Sequence, residues 1–457
     1  MHKAFVFDLN RCTGCNACEL ACIIENELQP GMSWRHVVTF NESRLPGVPL
    51  FSLSLACNHC LDAPCKEKCP ALAYSKDDAT GAVTINPSLC MGCRYCQWVC
   101  PYDAPKFNMV TGLVEKCTFC SHRLKDELDP ACTMACPTAA LRFEDYSMDE
   151  AKEQVEIPGF WKEKITPAIH IEPLRRGTRP PQMVQSHDLS EIPRATDGHP
   201  SKLKSKVSLA SEWPLLVFTL TAEVLVALFH SWIVAMLPVP LIPFTLAGIV
   251  AMGLSTAHLG KPSRFYRAIL NWRRSWISRE ILLFSAFFGG ALAFFSFAPF
   301  DTLMGRLVAA AGFAALFAMD KVYQVDTNPS TKGLHSASVL LTGVYLVGVF
   351  TQHPWFLFPL GGAKLVLYMI RGLPRILGRT TQRQLLFALR ILAGFVVPLL
   401  LWLFTGTDFY ALMVACILAG EIVDRAEFYI DLDFARPETR ARLDLERMIE
   451  TKPLVLS

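Results

Sequence analysis

Apolar positions along this chain fall into two regimes. From about residue 3 to 145 they form short, strand-length runs, such as Ala4 to Leu9 and Ala82 to Ile85, each leading through turn residues into a group of cysteines. That pattern predicts a small-strand, loop-heavy domain. From Trp213 onward the runs approach the roughly 20 residues that cross hydrocarbon as a helix. Eight of them lie near 213–237, 241–258, 280–299, 303–323, 334–351, 355–372, 384–404 and 408–424, joined by short turns. The shorter two could be core helices of a soluble protein, but eight in succession predict an all-α polytopic bundle of eight transmembrane helices. Between the regimes, residues 146 to about 172 read as an amphipathic continuation of the first. Residues 174–207 turn to Arg, Pro, Ser and Lys, with little to bury, and read as a linker.

Composition sharpens this division. Hydrophobic residues make up 52% of the 457 and charged residues 19%, below the roughly 25% charged share of soluble chains. The net charge is 44 minus 41, or +3, too weak for a nucleic-acid footprint, so no nucleic acid is expected as a partner. Placement of charge says more than its total. The loops after the second, fourth and sixth runs carry Lys261, Arg264, Arg267, Arg273, Arg274 and Arg279, then Lys321 and Lys332, then Arg371, Arg375, Arg379 and Arg383, against Arg306 alone near the opposite connections. By the positive-inside rule the cysteine domain and both termini lie in the cytoplasm, with a periplasmic orientation the alternative; the membrane expected is the cytoplasmic (inner) membrane of a prokaryote. Some of these cations could instead serve a headgroup, a quinone or the docked N-terminal domain. Met1 to Arg11 contains no long apolar run, twin arginine or small-residue cleavage site, so no export signal is expected.

Of the 17 cysteines, all but Cys416 lie between Cys12 and Cys136. Cys416, in the last apolar run, reads as a small core residue. The others form four groups: Cys12-x2-Cys15-x2-Cys18-x3-Cys22; Cys57-x2-Cys60-x4-Cys65-x3-Cys69-Pro70; Cys90-x2-Cys93-x2-Cys96-x3-Cys100-Pro101; and Cys117-x2-Cys120-x11-Cys132-x3-Cys136-Pro137. A shift of 78 residues lays Cys12, Cys15, Cys18 and Cys22 onto Cys90, Cys93, Cys96 and Cys100, which suggests duplication of one ligand-bearing unit. Three closely spaced thiolates can wrap three corners of a cubane, while the fourth points to a neighbouring cluster. Disulfides are disfavoured by the short local spacing and the cytoplasmic placement. Structural zinc would use two Cys-x2-Cys pairs per ion, which is not this pattern. Four [4Fe-4S] clusters are therefore expected. Clusters in series pass single electrons between distant sites. No dinucleotide fingerprint, P-loop or nucleophile elbow is present, so no catalytic residue is assigned and the substrate-converting centre is expected on another chain.

At this point the residues resemble a known family. Asn10-Arg11-Cys12-Thr13-Gly14-Cys15-Asn16-Ala17-Cys18-Glu19-Leu20-Ala21-Cys22, the Trp34-Arg35 that follows, and Cys57-Asn58-His59-Cys60 make residues 1 to about 172 similar to the four-cluster iron-sulfur subunits of the dimethyl sulfoxide reductase and polysulfide reductase type. Glu212-Trp213-Pro214-Leu215, His258-Leu259-Gly260, Trp276-Ile277-Ser278-Arg279-Glu280-Ile281 and Gly420-Glu421 make residues from Glu212 to about 432 resemble the membrane anchor subunit of the same enzymes. Those subunits are usually separate polypeptides; here they are joined. The resemblance implies an α+β ferredoxin-like electron-transfer domain over 1–172, a basic linker over 173–207, an eight-helix anchor with a quinone site over 208–430 and a cytoplasmic tail over 431–457. It also implies nested ligation. Cys12, Cys15, Cys18 and Cys136 would hold the cluster nearest the catalytic partner, and Cys22, Cys117, Cys120 and Cys132 the next. Cys57, Cys60, Cys65 and Cys100 would hold the third, and Cys69, Cys90, Cys93 and Cys96 the membrane-proximal one. Some relatives lack the second cysteine of the third group and carry three irons there; Cys93 is present, so four are expected.

The implied partners are a molybdopterin (bis-MGD) catalytic subunit, membrane lipid, and menaquinone or ubiquinone as exchangeable substrate; no haem is expected. Quinone chemistry needs proton donors or acceptors beside the redox step. His258, closing the second run, and Glu280, opening the third, are the candidates, and an ionisable residue near the bilayer is a functional hypothesis by default. Simple headgroup contact is the alternative for both. Glu223 and His230 in the first run form a candidate proton path, although pairing inside the bundle, together with Lys364 and Arg390, is the simpler reading. Other functions consistent with the sequence are the same relay serving a flavoprotein, a haem-bearing membrane subunit using His230, His258, His335 or His353, and a proton-pumping redox subunit.

Overall fold

The structure, a computed structural model, describes residues 2–45, 48–147, 156–160, 165–175, 209–297, 299–324, 335–376, 381–405, 408–431 and 436–451. Nearly all of the expected linker lies outside these residues, as do Lys332 and Arg379 of the basic loops. The chain divides into two units, Met1–Lys206 with Phe434–Ser457, and Val207–Asp433.

The first unit contains, in chain order, β1 (His2–Asp8), α1 (Ala17–Glu25), β2 (His36–Phe40), β3 (Phe51–Leu55), α2 (Pro64–Glu67), β4 (Tyr74–Lys76), β5 (Val83–Ile85), α3 (Tyr95–Val99), β6 (Lys106–Asn108), β7 (Leu113–Glu115), α4 (Ser121–Lys125), α5 (Ala131–Met134), β8 (Leu141–Tyr146) and β9 (Ile169–Glu172). β1 is central in a three-stranded sheet, antiparallel to β8 and parallel to β9, with Phe5 opposite Phe143 on one side and Ile169 on the other. Both expected strands are there, and three two-stranded hairpins, β2–β3, β4–β5 and β6–β7, carry the chain between the cysteine loops. Phe5, Phe7, Phe40, Phe51, Leu55 and Phe119 form the core. Burying such large side chains lets a domain with so little regular structure hold together.

The 78-residue repeat is visible in the backbone. Gly14 and Gly92 have φ of +72° and +73°, and Asn16 and Arg94, just before α1 and α3, have φ of +59° and +60°. Left-handed residues reverse the chain sharply, and glycine does so without a Cβ penalty. In both copies this curls the segment around a hollow, with the third cysteine, Cys18 or Cys96, in the first turn of the helix that follows.

The second unit is helical: α6 (Leu209–Ala235), α7 (Leu241–Ala257), a 3-10 helix (Pro262–Ile269), α8 (Trp276–Phe297), α9 (Thr302–Tyr323), α10 (Val339–Thr351), α11 (Pro354–Ile376), α12 (Thr381–Ile391), a π-helical turn (Leu392–Val396), α13 (Val397–Thr405) and α14 (Tyr410–Asp431). Helix occupies each of the eight apolar stretches, the seventh as α12, the π turn and α13. Four spans are long and apolar enough to cross a bilayer: Leu209–Ala235, Trp276–Phe297, Thr302–Tyr323 and Gln384–Phe404. A fifth results if α7 and the 3-10 helix, bent by 102°, are one span. The expected eight are therefore not all established by length and apolarity. α10 has 13 residues, α11 carries Lys364 and Arg371, and α14 carries Glu421, Asp424, Arg425 and Glu427. Phe218, Phe229, Phe284, Phe287, Phe288 and Phe294 fill the core of this unit. Small residues set its close crossings: a Cβ on Gly420 would lie 2.5 Å from the Cα of Gly394, so the π turn and α14 touch backbone to backbone.

Within the expected tail the structure describes residue 431 and residues 436–451. α15 (Pro437–Thr451) belongs to the first unit, where Ala441 joins the aromatic core and Leu445 and Met448 pack on it. Those three lie at i, i+4 and i+7, one stripe of a helix. Asp444 Oδ2 accepts from the Gly159 amide at 2.9 Å, and Arg436 approaches Asp103 at 4.0 Å.

Candidate metal centres and the membrane polar cluster

Three hollows in the first unit are walled by cysteines from different stretches of chain. Cys12, Cys15 and Cys18 share one with Cys136. A second is lined by Cys57, Cys60, Cys65 and Cys100, together with His59 and Lys116. Cys69, Cys90, Cys93 and Cys96 surround the third, with Tyr74 and Arg94 in its wall. The remaining four, Cys22, Cys117, Cys120 and Cys132, are near one another: Cys22 interacts electrostatically with Cys120 and Cys132, and Cys117 with Cys22 and Cys132. Among the described residues no three His, Cys, Asp or Glu side chains converge closely enough to hold one metal ion. Thiols spaced around a hollow instead suit a polyatomic body such as a cubane.

Local geometry explains the grouping. The turns at Cys57-x2-Cys60 and Cys117-x2-Cys120 each contain a residue of positive φ in the same place, His59 at +42° and Phe119 at +58°. Their rings pack with centroids 3.5 Å apart, and His59 Nδ1 accepts from the Val83 amide at 2.9 Å. Burial, followed by Lys116, holds His59 well below the usual imidazole range, so it is neutral. Backbone amides point at several sulfurs: His59 at Cys57 (3.5 Å), Ala73 at Cys69 (3.5 Å) and Gly92 at Cys90 (3.4 Å).

Burial pushes Cys22 and Cys93 each up to about 12, and lifts Cys60 and Cys96 well above the ordinary thiol range. Cys136 is the contrast: burial opposes its ionisation, but backbone amides from Leu141, Thr138 and Ala140 and the Thr138 hydroxyl hold it below that range. Buried thiolates need a cation to be stable, and iron supplies one. The donor set therefore fits the [4Fe-4S] group: soft sulfur, four donors to a hollow, amides directed at the sulfurs and no competing carboxylate in the walls.

In the second unit, His258 caps the C-terminus of α7, with Nδ1 2.5 Å from the Ser255 carbonyl. Glu280 lies in the first turns of α8 and is close enough to interact with Tyr323 and Tyr429. They stand at the two ends of one connection, which holds the 3-10 helix with Arg264 and Arg267. Arg279 closes it, donating from Nε to the Trp272 carbonyl at 3.0 Å and lying 4.3 Å over the Trp276 ring.

Glu223 is fully buried and paired with Arg425. Lys364 and Arg390 share Glu421, at 3.0 and 2.9 Å; Arg390 also reaches Asp424 at 3.3 Å, and Lys364 donates to Thr342 at 2.7 Å. His230 stands apart, edge-on to Phe313, with Nδ1 buried and without a hydrogen-bond partner among the described residues. Sequence reasoning did not anticipate Asp424 and Arg425, nor the central place of Glu421. The available signal was their spacing: 421, 424, 425 and 428 share one helical face.

Cysteine-lined hollows in a ferredoxin-type domain define an iron-sulfur electron-transfer protein, here carrying further helices apolar enough to cross a bilayer. Residues 48–146 match the 4Fe-4S dicluster domain family. A putative dimethyl sulfoxide reductase iron-sulfur subunit of Halobacterium salinarum is 39% identical over 177 residues, covering 32% of this chain and 67% of that protein. An anaerobic dimethyl sulfoxide reductase chain of Haemophilus influenzae is 38% identical over 148 residues, 30% of this chain and 72% of its own. The arsenate respiratory reductase iron-sulfur subunit of Shewanella is 32% identical over 200 residues, 33% of this chain and 85% of its own. The chain belongs to the family of dimethyl sulfoxide reductase-type iron-sulfur subunits. Its relatives are subunits of reductase complexes whose catalytic site lies on a partner chain.

Proposed function

We propose that this chain relays electrons between a molybdopterin (bis-MGD) catalytic subunit and the membrane quinone pool, through four [4Fe-4S] clusters. The observation that carries this reading is the gathering of the cysteines into separate groups of four within one unit, on the same chain as spans apolar enough to cross a bilayer. When bound, such clusters supply reversible one-electron transfer. Cys12, Cys15, Cys18 and Cys136 hold the first; Cys22, Cys117, Cys120 and Cys132 the second; Cys57, Cys60, Cys65 and Cys100 the third; and Cys69, Cys90, Cys93 and Cys96 the fourth. Amides at the sulfurs stabilise their anionic form.

In this reading the helical unit crosses the membrane eight times, with both termini in the cytoplasm. The charged α11 and α14 cross because Lys364, Glu421, Asp424 and Arg425 are paired inside the bundle. His258 and Glu280, flanking one basic connection, exchange protons with menaquinone or ubiquinone as it is reduced or oxidised. Glu223 and His230 are the candidate proton path; the Nδ1 of His230, buried and without a hydrogen-bond partner among the described residues, favours a role for it beyond packing.

Two measurements on the purified full-length chain test the proposal. Iron analysis is expected to give about sixteen irons per chain, with an absorption spectrum lacking a strong Soret band. Quinol is expected to reduce part of that iron. Far less iron, or iron indifferent to quinol, would remove the reading, and a Soret band would favour a haem protein. His258→Ala should weaken quinone-site inhibitor binding about tenfold without loss of iron, since one hydrogen bond to a polar headgroup is worth roughly that factor. An unchanged inhibitor titration would take His258 out of the site.

A further inference from the structure

Two cations are buried among the cysteines, and neither is paired with a carboxylate among the described residues. Lys116 is 1% exposed. Its Nζ donates to Cys57 Sγ at 3.3 Å, to the Cys117 carbonyl at 3.0 Å and to the Val83 carbonyl. Three N–H donors have three acceptors, which is the arrangement of a protonated ammonium. Arg35, also 1% exposed, lies 4.4 Å over the Phe5 ring and donates from Nη1 to Ser54 Oγ at 2.9 Å; that hydroxyl is in turn 3.2 Å from Cys18 Sγ.

Their positions are systematic. The charge of Lys116 faces Cys57 and Cys65, in one ligand set, and Cys117, in the next. Arg35 faces Cys18 of the first set and Cys22, Cys117 and Cys132 of the second. Each cation thus stands where two successive sets meet. Burying a charge without an opposite partner is costly. Among the described residues, the countercharge these surroundings offer is on the sulfur ligands and what they bind.

We propose that Lys116 and Arg35 are potential-setting residues, one cation at each of two successive junctions, which make the flanking clusters easier to reduce. This rests on the four-cluster reading above. A [4Fe-4S] group held by four thiolates is anionic in both redox states and gains one more negative charge when it accepts an electron, with no bond made or broken. A fixed positive charge in a low-dielectric site stabilises the reduced state more than the oxidised one. It also screens neighbouring clusters, so that an electron on one does not repel the arrival of a second on the next. Lys116 acts through a hydrogen bond to a ligand sulfur, Arg35 through the Ser54 hydroxyl and directly by its field. Both are therefore positioning residues rather than catalytic ones.

The test is a potentiometric titration of the full-length chain followed by electron paramagnetic resonance, with iron counted in each variant. In Lys116→Met, which keeps the apolar stem and removes the charge, at least one cluster signal should titrate at lower potential. At a fixed ambient potential its reduced-to-oxidised ratio should fall tenfold or more, about 59 mV per tenfold for one electron. Lys116→Arg should restore most of the shift, which a purely structural role would not predict. Arg35→Met should lower a signal as well, with one affected cluster common to both variants. Full iron with every midpoint unmoved in Lys116→Met overturns the proposal. Should that variant lose iron, Lys116→Gln and Arg35→Gln carry the same reading; loss of iron in all of them makes the cations determinants of assembly and also overturns it. Failure of the four-cluster reading shows separately, as a deficit of iron in the unsubstituted chain.

Discussion

Replacing Cys93 by serine is expected to remove or convert the cluster held by Cys69, Cys90, Cys93 and Cys96, and to bring quinol-linked turnover of the complex close to background. The side chain lines its hollow, where burial pushes it up to about 12. A serine hydroxyl is a harder donor with a still higher ionisation cost, so it replaces thiolate poorly on iron. Iron should fall by one atom if a three-iron cluster remains, or by about a quarter if the site empties. Activity of the catalytic partner with a soluble dye should largely persist, because dye bypasses the end of the relay. If both activities fall together, this set is not the one at the quinone end. One cluster signal should change and the others stay, which separates the effect from general unfolding.

The second large effect is expected in the helical unit. Glu421 is 2% exposed and is the shared partner of Lys364 and Arg390. Among the described residues, Glu421→Ala leaves Lys364 with Thr342 and the Ser336 carbonyl as acceptors, and Arg390 with Asp424 as its carboxylate partner. Removing one member of a buried ion pair costs about 3–5 kcal/mol, because the other charge stays buried. Thermal inactivation of the detergent-solubilised protein should occur at markedly lower temperature, with the iron of the first unit still bound. Adding Lys364→Met to Glu421→Ala should recover part of the loss, as expected of two groups coupled directly. An unchanged melting profile in Glu421→Ala would deny the cluster its structural role and favour a functional one for its charges.

These two predictions differ in where their grounds come from. Cys93 is readable from its motif alone, since Cys-x2-Cys-x2-Cys sets three donors within one turn of chain and the Gly92 and Arg94 backbone conformations follow locally. The place of Glu421 is not readable in that way. Its charge makes α14 look like a poor membrane helix, and only its neighbours on α11 and α12 show that the charge is matched. For the same reason apolarity does not establish α11 and α14 as spans, since hydropathy counts each ion as if it were alone, while α7 and α10 fall short by length, with 17 and 13 residues.

The C-terminal helix shows the limit from the other side. The stripe of Ala441, Leu445 and Met448 indicates that α15 has a partner, but not which one. Finding it on the aromatic core of the first unit, hundreds of residues earlier in sequence, needed the fold.

Sequence alone determined the chemistry and the two regimes of this protein, because thiol spacing and apolar run length are local properties that a linear reading contains. Tertiary structure decided which distant cysteine completes each hollow, Cys136 beside Cys12 and Cys100 beside Cys57, and where Arg35, Lys116 and Glu421 place their charges. Those outcomes depend on burial and on long-range neighbours. A buried charge takes its meaning from what surrounds it in space, and no spacing along the chain carries that information.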